Sequence, residues 1–347
     1  MVHSVKIMGR YALAAGEIWM ASSLCEVSFL VRDASYLRLR LKADDTVVDP
    51  ARKHLTPRYG IRMNGKLQRD AHLGQKEEVI SVFEAPQEGE TEVRLIKLSE
   101  CTQSLMALAE VQTDGTVRPR PDRAQRIAFI GDSITCGYGV EATDPLKNFS
   151  TFTENAEKSY AGLLSDALGV DRELVSMSGH GIVSGYTGDP AQRNETELVP
   201  PYYDKVGRNE FILPDGRRLQ EIPWDFSLFQ PQRIVINLGT NDLSWCQNQE
   251  DRKALFREKY AEFLKTVRER NPQAEIFCIL GVMGTGLNEM VHAAVADYQQ
   301  ESQDQHIQTL LLPEQEGEHD GFGANFHPSE ITQRKLAEAL QSFLAKG

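Results

Sequence analysis

Ile127-Ala128-Phe129-Ile130-Gly131-Asp132-Ser133-Ile134-Thr135-Cys136-Gly137-Tyr138-Gly139 is the stretch on which the fold turns. Its four leading apolar residues have the length and composition of a short buried strand. The Gly-flanked polar turn that follows lifts the Ser133 hydroxyl to the carboxyl edge of a sheet, where open α/β sheets place their chemistry. A Gly-Asp-Ser triplet alone occurs by chance in many chains. Here three further pieces follow it in order. Val175-Ser176-Met177-Ser178-Gly179-His180-Gly181 comes after a second strand start. Ile234-Val235-Ile236-Asn237-Leu238-Gly239-Thr240-Asn241-Asp242 is a buried strand running into a polar turn. Phe326-His327-Pro328-Ser329 lies just ahead of an amphipathic helix.

Around these pieces the apolar period is helical. Tyr160, Leu163, Leu164 and Leu168 share one face, and Gly169 sits where a helix would stop. Leu255, Phe256, Tyr260, Phe263, Leu264 and Val267 make a second stripe, ended by Asn271-Pro272. Ile331, Leu336, Leu340 and Phe343 face one side of the last helix, and Glu275 to Gly281 reads as another buried strand. Strands alternating with helices predict a parallel sheet covered on both faces. Residues 186–225 fit no periodic template, and part of so long a loop is expected to line a cleft.

Upstream the period is two. Tyr36 to Lys42 alternates apolar and basic residues, Thr91 to Leu95 alternates again, and Asn64-Gly65 is a hairpin turn signal because both turn positions need positive φ. Many short strands without a long helix predict a β-sandwich. Val117-Arg118-Pro119-Arg120-Pro121-Asp122 reads as a stiff polar connection. The chain therefore divides into a sandwich over 1–118, a linker over 119–124 and an α/β domain over 125–347.

Composition bounds the partners. A chain of 347 residues with 41% hydrophobic and 25% charged side chains suits two globular domains. A net charge of −12 argues against nucleic acid or an anionic membrane surface, which basic patches bind, and suits a neutral ligand. The five cysteines are scattered and free of metal spacing, so no metal or other cofactor is expected, and they read as reduced thiols. The acidic run from Glu314 to Asp320 reads as a solvated loop. Met1 to Lys6 has neither the basic start nor the apolar core of a signal peptide. The expectation is a cytoplasmic protein, or a secreted one if a leader has been trimmed.

The four ordered blocks resemble those of the SGNH, or GDSL, hydrolases over the last two-thirds of the chain. With the sandwich ahead of them and Glu154-Asn155 and Ser159-Tyr160 behind the first block, the whole chain resembles carbohydrate esterase family 2. The resemblance implies an α/β fold: a flavodoxin-like three-layer SGNH domain preceded by an all-β jelly roll. It implies serine-esterase removal of O-acetyl groups from plant xylan, mannan or glucomannan oligosaccharides through an acyl-enzyme. Ser133 would be the nucleophile and His327 the base, with an oxyanion hole of the Ser133 N–H, the Gly181 N–H and the Asn241 amide. Acyl transfer needs all three functions. Aromatic residues near the nucleophile, Tyr138 and Trp245, would contact sugar. Trp224 reads as packing, Asp242 as a turn residue, and His180 has no assigned role.

One position departs from the family pattern. Most SGNH hydrolases carry Asp three residues before the His, where this chain has Ala324, and the resemblance to family 2 implies that this third residue is often missing. The expectation is a Ser–His dyad with the ring held by a carbonyl. Asp320 and Asn325 are the side chains that would orient it otherwise. A short-chain lipase or thioesterase is the alternative on the same scaffold, and a carbohydrate-binding protein with lapsed catalysis is another. A sandwich domain set on a neighbour's cleft would make a homo-oligomer, which the sequence leaves open.

Overall fold

Alternating residues of the strand Arg126–Gly131 face two different cores, and that alternation organises the C-terminal half. Ala128 and Ile130 join one core with the helices Glu250–Arg270 and Asn288–Ser302. Ile127 and Phe129 join the other with the helices Tyr160–Leu168 and Glu330–Leu344. The computed structural model describes residues 2–345. Its parallel sheet runs in the spatial order Asp171–Ser176, Arg126–Gly131, Arg233–Asn237, Glu275–Leu280, Ile307–Leu311. That is the doubly wound order of flavodoxin-like sheets, with its switch point beside the first strand. Helix, sheet and helix make the three expected layers.

The N-terminal half is all β. One antiparallel sheet follows the order Lys6–Met8, Glu26–Arg32, Glu90–Lys97, Arg58–Met63, Lys66–His72, and Thr116–Pro119 also pairs with Glu26–Arg32. The other runs Tyr11–Ala14, Glu17–Met20, Met106–Thr113, Leu37–Ala43, Glu77–Phe83. Inward residues of both sheets, Val27, Phe29 and Leu95 from one and Leu39, Leu41 and Leu108 from the other, share a core, as in a sandwich. Asn64 and Gly65 turn the predicted hairpin with φ of 49° and 77°.

Two local expectations change. Val117 to Pro119 belongs to a strand rather than to a free connection, because Val117 and Arg118 pair with Val31 and Leu30. Arg120 beyond it is buried against Asp171 and Ser28. Ile331 lies exposed, one residue into the last helix, while Leu336 and Leu340 carry the buried stripe. The aperiodic region 186–225 holds only short helical turns, including Pro200–Tyr203 and Leu219–Glu221. Among the described residues, no helix is long and apolar enough to cross a membrane.

The two halves are bolted together by buried charge. Lys6 reaches Asp171, and Arg10 reaches Glu173 and the carbonyls of Tyr203 and Lys205. The Arg10 guanidinium also lies over the rings of Tyr203, Trp224 and Phe226. Trp224 is thus packing, as its sequence setting suggests, with Tyr11 edge-on to it.

Candidate active site

Three strands of the parallel sheet end at one rim, and each delivers one functional group there. The first strand ends in Asp132, which caps the turn Ser133–Cys136 by accepting the Ile134 N–H. Ser133 is thereby the first residue of a helical turn, where a backbone N–H has no intrahelical acceptor. The loop after Asp171–Ser176 carries Ser178 and Gly179, and the helix after Arg233–Asn237 begins at Thr240-Asn241. A cleft of about 790 Å³ opens over this rim, lined among others by Ser133, Tyr138, Gly179, Tyr186, Asn241 and His327.

His327 comes to the same rim from the other end of the chain. Its Nε2 lies 2.8 Å from Ser133 Oγ, and its Nδ1 lies 3.1 Å from the Ala324 carbonyl oxygen. A carbonyl only accepts, so Nδ1 carries the proton and Nε2 is free to take the Ser133 proton. Burial pushes the ring down to about 4 from its ordinary 6.5, against the partial support of the Ala324 and Asn325 backbone. With no carboxylate behind it, the imidazolium has only a neutral acceptor to lean on.

Neither candidate side chain orients that ring directly. The Asp320 carboxylate accepts two hydrogen bonds from Lys335, and its carbonyl accepts from Ser329. Asn325 instead donates to the Tyr138 hydroxyl at 2.7 Å, and the Tyr138 ring stacks on His327 with centroids 4.0 Å apart. Ala324 explains why the usual Asp has no room. Its methyl is fully buried against Gly139, where even a Cβ on Gly139 would stand 2.4 Å away, and the Ala324 N–H bonds the Gly139 carbonyl.

The glycine that lines the cleft lies two residues before the expected one. Gly181 is not on the cleft, and its N–H is spent on the Glu197 carbonyl at 3.1 Å. Glycine is required there for packing, since a Cβ would meet the Ser184 carbonyl oxygen at 2.1 Å and Asp242 Oδ2 at 2.6 Å. Gly179, at φ +78°, lines the cleft instead, and its N–H makes no hydrogen bond among the described residues. Both glycines sit in one short motif, and sequence spacing alone does not separate an N–H facing the cleft from one facing a neighbouring loop. Asn241 is on the rim. Its Nδ2 donates to the His180 carbonyl at 2.9 Å and to Asp132 Oδ2 at 3.3 Å, and the longer of the two is the bond a ligand would displace.

Asp242 does more than stabilise its own turn. Its fully buried carboxylate accepts the N–H groups of Ile182, Val183 and Ser184 at 2.7 to 3.0 Å, tying the Gly-rich loop to the Asn241 helix. Burial still pushes it up to about 6, against those three donors. Trp245 is not on the cleft: the guanidinium groups of Arg252 and Arg193 lie over its ring, 4.8 and 5.2 Å from the centroid. The exposed aromatics of the cleft are Tyr186 and Phe326. Tyr186 lies in the aperiodic region expected to line it, while Phe326 was detectable only as a large apolar neighbour of His327.

Known proteins resemble this chain in sequence and fold. Residues 129–335, well over half the chain, match the model of the GDSL-like Lipase/Acylhydrolase family. The chain belongs to that family. It is 36% identical over 227 residues to the cellulase/esterase CelE of Acetivibrio thermocellus, covering 64% of this chain and 25% of CelE. The chain thus spans about a quarter of that relative's length. It is 29% identical over 270 residues to an acetylxylan esterase / glucomannan deacetylase of Cellvibrio japonicus, covering 77% of this chain and 70% of that protein. Among solved structures, a family two carbohydrate esterase from Clostridium thermocellum, in complex with cellohexaose, superposes with a TM-score of 0.83 at 26% identity, over 99% of this chain and 98% of that one. Both domains are therefore shared with family 2 carbohydrate esterases.

Proposed function

We propose that this chain is a metal-independent serine esterase that removes O-acetyl groups from plant-derived oligosaccharides. The observation that carries the reading is the 2.8 Å contact between Ser133 Oγ and His327 Nε2, in a cleft that Gly179 and Asn241 also line. In this reading His327 takes the Ser133 proton as Oγ attacks the acetyl carbonyl, forming the Oγ–carbon bond. The carbonyl oxygen becomes an oxyanion facing the N–H groups of Ser133 and Gly179 and the Asn241 amide. Collapse breaks the ester C–O bond, and His327 returns the proton to the departing sugar oxygen. Water, deprotonated by the same ring, then attacks the acetyl-enzyme; acetate leaves and Ser133 regains its proton.

Support for a sugar comes from the cleft and from the relatives. Tyr186 and Phe326 are exposed aromatic residues of the cleft, and Gln247, Asn248 and Asn325 add hydrogen-bonding side chains to its lining. Rings with polar neighbours fit the mixed apolar and hydroxyl surface of a pyranose. The Cellvibrio relative is named for xylan and glucomannan, which selects those polymers first. Leu243 and Met283 on the cleft give a short-chain lipase or thioesterase its one support.

The test is acetate release from acetylated xylan and mannan oligosaccharides by wild type and by Ser133→Ala, with acetyl and octanoyl 4-nitrophenyl esters alongside. Release by wild type alone is the expected result. Faster octanoyl turnover, without oligosaccharide deacetylation, would favour the lipase.

A further inference from the structure

His180 lies two residues beyond Ser178, in the middle of the Gly-rich loop, and is almost fully buried. Both of its ring nitrogens are engaged. Nδ1 is 2.9 Å from the Ser178 carbonyl oxygen, and Nε2 is 2.7 Å from Nη1 of Arg208. The partners fix the tautomer: a carbonyl can only accept and a guanidinium can only donate. The ring is therefore neutral, with its proton on Nδ1. Burial holds the ring below its ordinary pKa, and the Arg208 charge adds to that, against Glu100 and Glu197, the carboxylates that face it.

The Ser178 carbonyl belongs to the same peptide unit as the Gly179 N–H. A donor on that oxygen fixes the plane of the unit and polarises the N–H at its other end. From the opposite side, the Glu100 carboxylate, contributed by the sandwich domain, accepts the Ser178 N–H at 2.8 Å. The backbone of His180 completes the arrangement, since its carbonyl is the acceptor that holds the Asn241 amide. One residue thus touches both candidate oxyanion donors without reaching the cleft rim itself.

We propose that His180 and Arg208 are positioning residues of the oxyanion hole, forming a hydrogen-bonded chain from guanidinium to imidazole to the Ser178 carbonyl that sets the Gly179 N–H. The inference rests on the esterase reading and deepens it. Arg208 makes no ion pair among the described residues. Its guanidinium faces His180 and the ring of Tyr202, 5.5 Å from the centroid. A carboxylate partner would cancel its field. Without one, the positive charge is transmitted along the chain toward the place where negative charge develops in the transition state.

The test compares wild type, Arg208→Met and Arg208→Lys in steady-state hydrolysis of 4-nitrophenyl acetate, with thermal unfolding and the assigned 15N–1H resonance of Gly179 recorded for each. Arg208→Gln stands in if the methionine variant does not fold. The chain weakens one donor rather than removing it, so kcat of Arg208→Met should fall about tenfold, less than deletion of a donor would cost. KM should stay within about twofold and the acid limb of the pH profile should not move. The Gly179 amide should shift, and Arg208→Lys should recover most of the rate. A folded neutral variant with wild-type kcat, a loss confined to KM, or an unmoved Gly179 amide would overturn the chain. If wild type itself lacks Ser133-dependent hydrolysis, the esterase reading falls, and the Gly179 resonance alone decides the chain.

Discussion

His327 concentrates what is unusual at the scale of single residues. Its partner on Nδ1 is a backbone carbonyl rather than a carboxylate, and its pKa is pushed down to about 4. The direction sets the pH dependence. A base must be neutral, and a folded-state pKa below 6.5 keeps the ring neutral further into acid. Activity governed by this ring should therefore be flat above about 5 and be lost as pH falls through about 4; kcat/KM measured against pH checks this. A limb near 6.5 would mean that the ring titrates as an ordinary exposed histidine. The second prediction concerns the position where most family members carry Asp. Ala324→Asp should not raise kcat, because the Ala324 methyl packs on Gly139 and a carboxylate there would be buried without a partner. It should cost about 2 kcal/mol or more in denaturant unfolding. The residue types of the site were readable in the sequence, since Ser133, Asn241 and His327 each follow a recognisable element. The glycine that faces the cleft was not, because the choice between Gly179 and Gly181 depends on which N–H the Glu197 carbonyl captures.

Among elements, the Gly-rich loop is the one most dependent on a single group. Asp242 accepts three of its backbone N–H groups in a fully buried setting. Asp242→Ala would leave those donors unpaired, each costing roughly 1 to 3 kcal/mol. The expected outcome is a loss of at least about 3 kcal/mol by denaturant titration, with kcat reduced in whatever protein remains folded. Strands and helices with strong period were legible: the stripes over Tyr160 to Leu168 and Leu255 to Val267 became the helices Tyr160–Leu168 and Glu250–Arg270. Region 186–225 was legible only as loop. Its order comes from tertiary bonds, such as Asn209 to the Cys101 carbonyl and Asn271 to the Tyr203 hydroxyl, which leave no local pattern.

Taken whole, the molecule is one in which the sandwich domain supports the catalytic loops. Glu100 reaches Ser178, Arg58 reaches the Glu154 carbonyl, and Arg10 fastens the far side. The sequence displayed each domain through its own period, but an interface of isolated charges carries no period and stayed hidden. Arg10→Met should leave Glu173 and two carbonyls buried without their donor, lowering stability by roughly 3 to 5 kcal/mol. Two separated unfolding transitions in place of one would locate that loss at the domain interface. The central claim, that Ser133 carries the acyl group, is tested most directly by mass spectrometry of peptides from enzyme quenched in acid during turnover of an acetyl ester. The account predicts one added acetyl group on the peptide bearing Ser133, and none in Ser133→Ala. Steady turnover with Ser133 unmodified, continuing at the same rate in Ser133→Ala, would contradict it.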